Sequence, residues 1–212
     1  MTQLEKLVQN VYSAIKQSSG TNTDPAATTV TGPWSIISLL KGWLSGLGFG
    51  SVKGKIFNSS AEKTRPANVT AYVAKDVLAE STSVATTWRF ENIIDAAGEQ
   101  GYITKVQLWS SDKAETGIYR IHFFTTSITA INDADPFLQL YANRDSYIGY
   151  VNMPAMTTED ASSSTASYSQ IVDPRITFVS STTSIYAMLE TLSGFTPVSA
   201  ATYTIKISTT KS

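Results

Sequence analysis

The chain of 212 residues contains no cysteine. That removes disulfide frameworks, thiolate metal sites and cysteine nucleophiles in one step. Histidine is almost missing too: His122 is the single copy. A Ser-His-Asp triad or a histidine-led metal site would have to be built on that residue. Charge is also scarce. Charged residues make up 16% of the chain, with 16 basic and 17 acidic side chains and a net charge of −1, against roughly 25% in average proteins. No segment gathers enough Lys or Arg to follow a phosphate backbone, so nucleic acid is not an expected partner. No secretory leader is read at the N-terminus, which lacks a basic start followed by an apolar core. The most apolar run, 34–49, is interrupted by Lys41 and serines and falls short of the ~20 residues a bilayer span needs. No membrane partner is expected.

Serine and threonine fill the space left by charge, together about a quarter of the chain. Thr is β-branched and Ser bonds its own backbone, so both suit exposed strand faces and turns. From residue 68 onward short strand patterns alternate with turn-rich breaks. The candidates are 69–73, 87–94, 102–110, 117–126, 147–152, 175–179, 184–191 and 202–208. Tyr119, Ile121 and Phe123 alternate with Arg120, His122 and Phe124; Tyr203, Ile205 and Ile207 alternate with Thr204, Lys206 and Ser208. Period two predicts one face in a core and the other toward solvent. About eight such strands predict a mainly β protein, an antiparallel β-sandwich or jelly roll, preceded by a short N-terminal helical segment. Two long connections, 131–144 and 153–170, are expected to cross between the sheets and to reach toward neighbours.

The N-terminal part reads differently. Leu4, Val8, Val11 and Ile15 step by four, three and four, which is one stripe of a helix over 3–17 and fits two heptads. It can pack on its own domain or self-associate. A polar linker follows at 18–31. Pro33 then opens a second predicted helix to about residue 47, carrying Trp34, Ile37, Leu40, Trp43, Leu44 and Leu47 nearly all round. Such a helix must be buried on most sides, against a second subunit, a partner protein or the β-domain of its own chain. Gly46, Gly48, Gly50 and Gly54 break it. Gly54-Lys55 is not a phosphate loop: Phe49 and Ile56 stand where the motif needs Gly and Ser or Thr. The expected organisation is a helical arm with linker at 1–50, a linker at 51–67 and a β-sandwich domain at 68–212.

Chemistry is thin. His122 alternates onto the face of Arg120, so it reads as a surface or subunit-contact residue. Glu91, Asp95 and Glu99 show no spacing that singles out an acid–base pair. Asn132, Asp133 and Asp135 offer oxygen donors but lack the glycine and terminal Glu of an EF-hand loop, and a turn capped by Asp side chains is the default. No catalytic residue, cofactor or metal is assigned, and the protein is expected not to be an enzyme.

Several motifs carry a resemblance: TAYVAKDV at 70–77, WRFENI at 88–93, RIHFF at 120–124, DADPF at 133–137, YIGYV at 147–151, and IYAMLET at 185–191 running on to Tyr203. Through them residues 68–212 resemble tailed-bacteriophage virion proteins of the β-sandwich, capsid decoration or cement type. PWSIISLLKG at 33–42 is similar to a short helix of phage structural proteins. The resemblance implies a virion location after synthesis in the bacterial cytoplasm, a homotrimer, and contact with the major capsid protein or another virion protein. On this reading Leu4, Val8, Val11, Ile15, Trp34, Ile37, Leu40, Trp43, Leu44 and Leu47 are the interface. A tail, neck, baseplate or fibre component, and a carbohydrate-binding module using Trp109 and Tyr168, are the competing roles.

Overall fold

The structure is a computed structural model that describes Lys6, Asn10 and residues 55–158 and 166–212. The chain divides into two compact units, Met1–Lys53 and Gly54–Ser212. Lys6 and Asn10 are helical and exposed. All ten residues read as the N-terminal interface lie outside the described residues.

The strands described in the second unit are all antiparallel, with one short 3-10 helix at Tyr141–Asn143. The strands are β1 (Ile56–Thr64), β2 (Val77–Leu78), β3 (Trp88–Phe90), β4 (Gln100–Ser110), β5 (Tyr119–Phe124), β6 (Tyr147–Asn152), β7 (Ser167–Val179), β8 (Ile185–Thr191) and β9 (Thr202–Lys211). One sheet has the order β1-β9-β4-β7; the other runs β2-β8-β5-β6, with β3 also paired to β8. Inward side chains of both sheets form a single core. Val106, Leu108, Ile205 and Ile207 come from the first, and Tyr119, Ile121, Phe123 and Leu189 from the second. Each large apolar side chain buried there is worth about 1.5–3 kcal/mol.

Alternation placed β9 correctly. Tyr203, Ile205 and Ile207 are buried while Lys206 is exposed. On β4 the parity changes midway, because Ile103 and Val106 are both buried. The cause is a register break between Ile103 and Lys105, opposite Asp173-Pro174-Arg175 of β7. Asp173 and Arg175 have φ of 57° and 52°, and the Arg175 Nε donates to Asp173 Oδ2 at 2.9 Å. A bulge of this kind inserts an unpaired residue and bends the strand. Proline is tolerated there because β7 is an edge strand.

Four expectations change. The linker at 51–67 contains β1, which pairs with β9 along its whole length; Asn58 and Ser60 lie on its exposed outer face. Residues 69–73 are not a strand, and only Tyr72 bridges Phe195, because this stretch wraps the end of the sandwich around Arg65. β7 begins at Ser167, inside the stretch read as loop. The connection 131–144 does not cross between sheets: it joins β5 and β6 of one sheet and folds back along β2, where Phe137 N–H donates to the Lys75 carbonyl at 2.7 Å.

Arg65, at the end of β1, is almost completely buried. Its Nε donates to Tyr72 Oη at 3.2 Å and one Nη to the Asn68 side-chain oxygen at 3.0 Å. The guanidinium pairs with Asp133 Oδ2 at 3.4 Å, both side chains being 0% exposed. Tyr72 Oη and the Ala79 N–H both donate to Asp133 Oδ1. Arg65→Met should destabilise the domain by about 3–5 kcal/mol, because Asp133 would stay buried and unpaired. Arg65→Met with Asp133→Asn should recover part of that loss. Urea unfolding of the two variants checks the ranking.

Gly117 is a second fixed point. A Cβ there would lie 2.5 Å from Tyr119 Oη and 2.8 Å from Glu115 Oε1. Gly117→Ala should cost about 1–3 kcal/mol by overpacking, read as a lower melting temperature.

Candidate functional site

Four clusters of buried polar side chains in the described unit contain an ionisable group with potential for chemistry: those of Arg65, Lys63, Glu115 and His122. The Arg65–Tyr72–Asp133 cluster above absorbs the acidic turn that sequence offered as oxygen donors. Its Asp133 faces a guanidinium, and burial, followed by the bond to Asp133, pushes the Tyr72 hydroxyl well above its ordinary value.

Lys63 points inward from β1. Its ammonium donates to Glu80 Oε2, to the Thr86 carbonyl at 2.5 Å and to Thr86 Oγ1 at 2.8 Å. Burial lowers its pKa, although the bond and charge of Glu80 act against that. All three ammonium protons are therefore engaged, and none is left for a substrate. Trp88 lies under the ammonium at 5.7 Å.

Glu115 is a buried carboxylate held by donors rather than by a cation. Gly117 N–H donates to it at 2.6 Å and Tyr203 Oη at 2.5 Å. Burial first, and then the neighbouring carboxylate, raises the Tyr203 pKa. Tyr119 Oη is buried beside them without a hydrogen-bond partner of good geometry, and burial raises its pKa as well.

The fourth cluster surrounds His122 and corrects the sequence reading most. The residue lies on the outer face of the second sheet, yet it is 4% exposed, and its neighbour Phe124 is fully buried. The connection between β5 and β6 covers that face. Phe137 stacks on the imidazole with centroids 4.0 Å apart and planes at 14°, and Tyr147 packs on Phe124 at 5.3 Å. The ring's Nε2 lies 2.8 Å from Glu190 Oε2 and its Nδ1 3.1 Å from Tyr147 Oη. Arg120 approaches Glu190 at 3.5 Å and donates to Asn152 Oδ1 at 2.7 Å. A neutral imidazole donating from Nε2 to Glu190 and accepting at Nδ1 from Tyr147 satisfies both contacts. No hydroxyl of Ser or Thr bonds the ring among the described residues, and Phe137 closes its face. The cluster has the parts of a general base, buried beneath an aromatic ring.

Trp109 and Tyr168, expected as exposed sugar platforms, are cross-strand neighbours that stack on each other at 5.0 Å and 25°. The Lys206 ammonium also lies over the Trp109 ring, 5.4 Å from its centroid, so neighbours on its own sheet already engage that ring. Among the described residues no three His, Asp or Glu side chains gather as a metal site. No helix among them is long and apolar enough to cross a membrane.

No family model matches the chain, and no curated protein matches it. Among solved structures it is similar to the cyanophage Pam1 capsid asymmetric unit, with 11% identity and a TM-score of 0.28, over 90% of this chain and 99% of that one. At that TM-score the likeness transfers neither fold nor role.

The His122 environment makes a pH prediction. Burial lowers its pKa, outweighing the bond to Glu190. The unfolded chain, with an ordinary histidine near ~6.5, therefore takes up the proton first as pH falls. Stability is fully present above that value and declines as pH drops through it toward the lower folded pKa. His122→Gln should flatten this part of the stability curve. Urea midpoints between pH 8 and pH 5 that fall equally in both proteins would contradict it.

Proposed function

We propose that this protein is a non-enzymatic structural subunit of a tailed-phage virion, which decorates or cements the capsid through its N-terminal arm. The observation that carries the reading is the use of the buried polar groups. Arg65, Lys63, Glu115 and His122 are all bound to side chains or backbone of their own domain. An enzyme needs a group within reach of a reactant, whereas a shell component needs a rigid body.

The strand order supports the same reading. With β2 and β3 taken as one broken strand, β1-β9-β4-β7 facing β2/β3-β8-β5-β6 is the connectivity of an eight-stranded jelly roll, an architecture that recurs in viral capsid proteins and also in lectins and cupins. Fold alone does not decide among these. The arm tips the balance: Trp34, Ile37, Leu40, Trp43, Leu44 and Leu47 form a segment too apolar for solvent. In this proposal three such arms cover one another or dock on a neighbouring virion protein. A subunit that binds only the assembled shell stabilises it by mass action.

The test is removal of the arm. A chain starting at Gly54 should keep the strand signature in circular dichroism and lose its place on the particle. Trp43→Asp should weaken oligomerisation in light scattering while leaving the melting of the β-domain unchanged. Collapse of the truncated domain would mean that the arm completes the core, and the proposal would fail. Copy number then separates shell from tail, neck or baseplate, since only a shell role takes hundreds per particle.

A further inference from the structure

The outer face of the first sheet is a regular lattice of hydrogen-bonding side chains. Ladder registers align Ser60 with Lys206, Lys206 with Gln107, and Gln107 with Gln170 across four strands. Two residues along, they align Asn58 with Ser208 and Ser208 with Lys105. Strand spacing sets the columns roughly 4.8 Å apart and the rows roughly 6.6–6.8 Å apart. A groove of about 290 Å³ runs over this array, lined by Asn58, Ser60, Lys105, Gln107, Lys206 and Ser208. Lys105 and Lys206 have no carboxylate partner among the described residues. Glu62, one row away on the same face, accepts from Thr204 Oγ1 at 3.0 Å. The amides are prealigned: Gln107 Nε2 donates to Gln170 Oε1 at 3.3 Å, and Ser208 Oγ to Asn58 Oδ1 at 2.7 Å.

This composition selects a ligand class. Protein interfaces concentrate aromatics, Met and Arg in their buried centre and are depleted in Lys and Ser, the reverse of these rows. Two lysines are too few to follow a nucleic-acid backbone, and the one exposed apolar side chain in these rows, Val172 opposite Lys105, is too little to enter a lipid surface. A chain of hydroxyls bearing spaced carboxylates matches amides, hydroxyls and two ammonium groups at regular intervals. We infer that this face binds an acidic polysaccharide of the uronic-acid class, with Lys105 and Lys206 taking carboxylates and Asn58, Ser60 and Gln107 taking hydroxyls. The inference stands apart from the virion role, because it concerns the isolated protein.

The test uses the full chain, immobilised oligogalacturonate as probe, and maltoheptaose and polyphosphate as controls. Oligogalacturonate should bind, maltoheptaose more weakly, and polyphosphate more weakly still at equal ionic strength. Lys105→Ala and Lys206→Ala should each cost roughly tenfold in affinity, the scale of one hydrogen bond to a charged group. Lys206→Arg should retain most of the binding, and Gln107→Ala should weaken it without changing the salt dependence. Because Lys206 lies over Trp109, the ligand should also shift a fluorescence component that Trp109→Phe removes. Absence of oligogalacturonate binding, equal binding of either control, or lysine variants that bind like the parent at an unchanged melting temperature would each overturn the inference.

Discussion

The β-domain is tied together at one end by a guanidinium held out of water. Arg65 leaves β1 of the first sheet and pairs with Asp133 of the connection that follows β5 in the second. Between them stands Tyr72, whose hydroxyl accepts from one and donates to the other. Sheet-to-sheet packing is nondirectional, so the hydrophobic core alone would let the loops at this end slide. A buried charge pair does not permit that, because separating its members leaves each uncompensated in a low-dielectric site. The turn at 133–135 then aligns with β2, the Ala134 N–H donating to the Val77 carbonyl and the Val77 N–H to the Asp135 carbonyl. Phe137 is thereby delivered onto His122.

His122 is covered by the connection that follows β5. Imidazole, carboxylate, guanidinium and phenol meet within hydrogen-bond range, a set that in an open cleft would invite acid–base chemistry. Here they sit beneath an aromatic ring, and burial holds the imidazole neutral. The same economy appears in Lys63 and Glu115, whose polar atoms all point at neighbours. Polar groups used this way rigidify the body and specify one packing.

The outer surface of the first sheet makes the opposite use of polarity. Its amides, hydroxyls and two lysines leave capacity toward solvent, and the bulge between Ile103 and Lys105 decides which side chains take part. Without that one extra residue, Lys105 would keep the inward parity of Ile103, and Val106 would turn outward. The position of Lys105 in the lattice is thus a consequence of the extra residue in β4, Thr104, which stands out of both ladders.

Period-two patterning was enough to read a mainly β chain and the inward set on β9, because alternation is a local property. β1 escaped notice because its hydroxyl-rich centre, Asn58-Ser59-Ser60, lacks apolar contrast. The burial of His122 and Phe124 escaped as well, since alternation assigns a side chain to a face but cannot say that a later connection will return to cover it. The partnership of Arg65 with Asp133, 68 residues apart, has no sequence signal at all. Composition and periodicity by themselves determined what the strands are made of and that no thiol and only one imidazole is present. Only the tertiary structure decided which polar groups are dry and which still face water, because burial depends on the distant segments that fold back over each face.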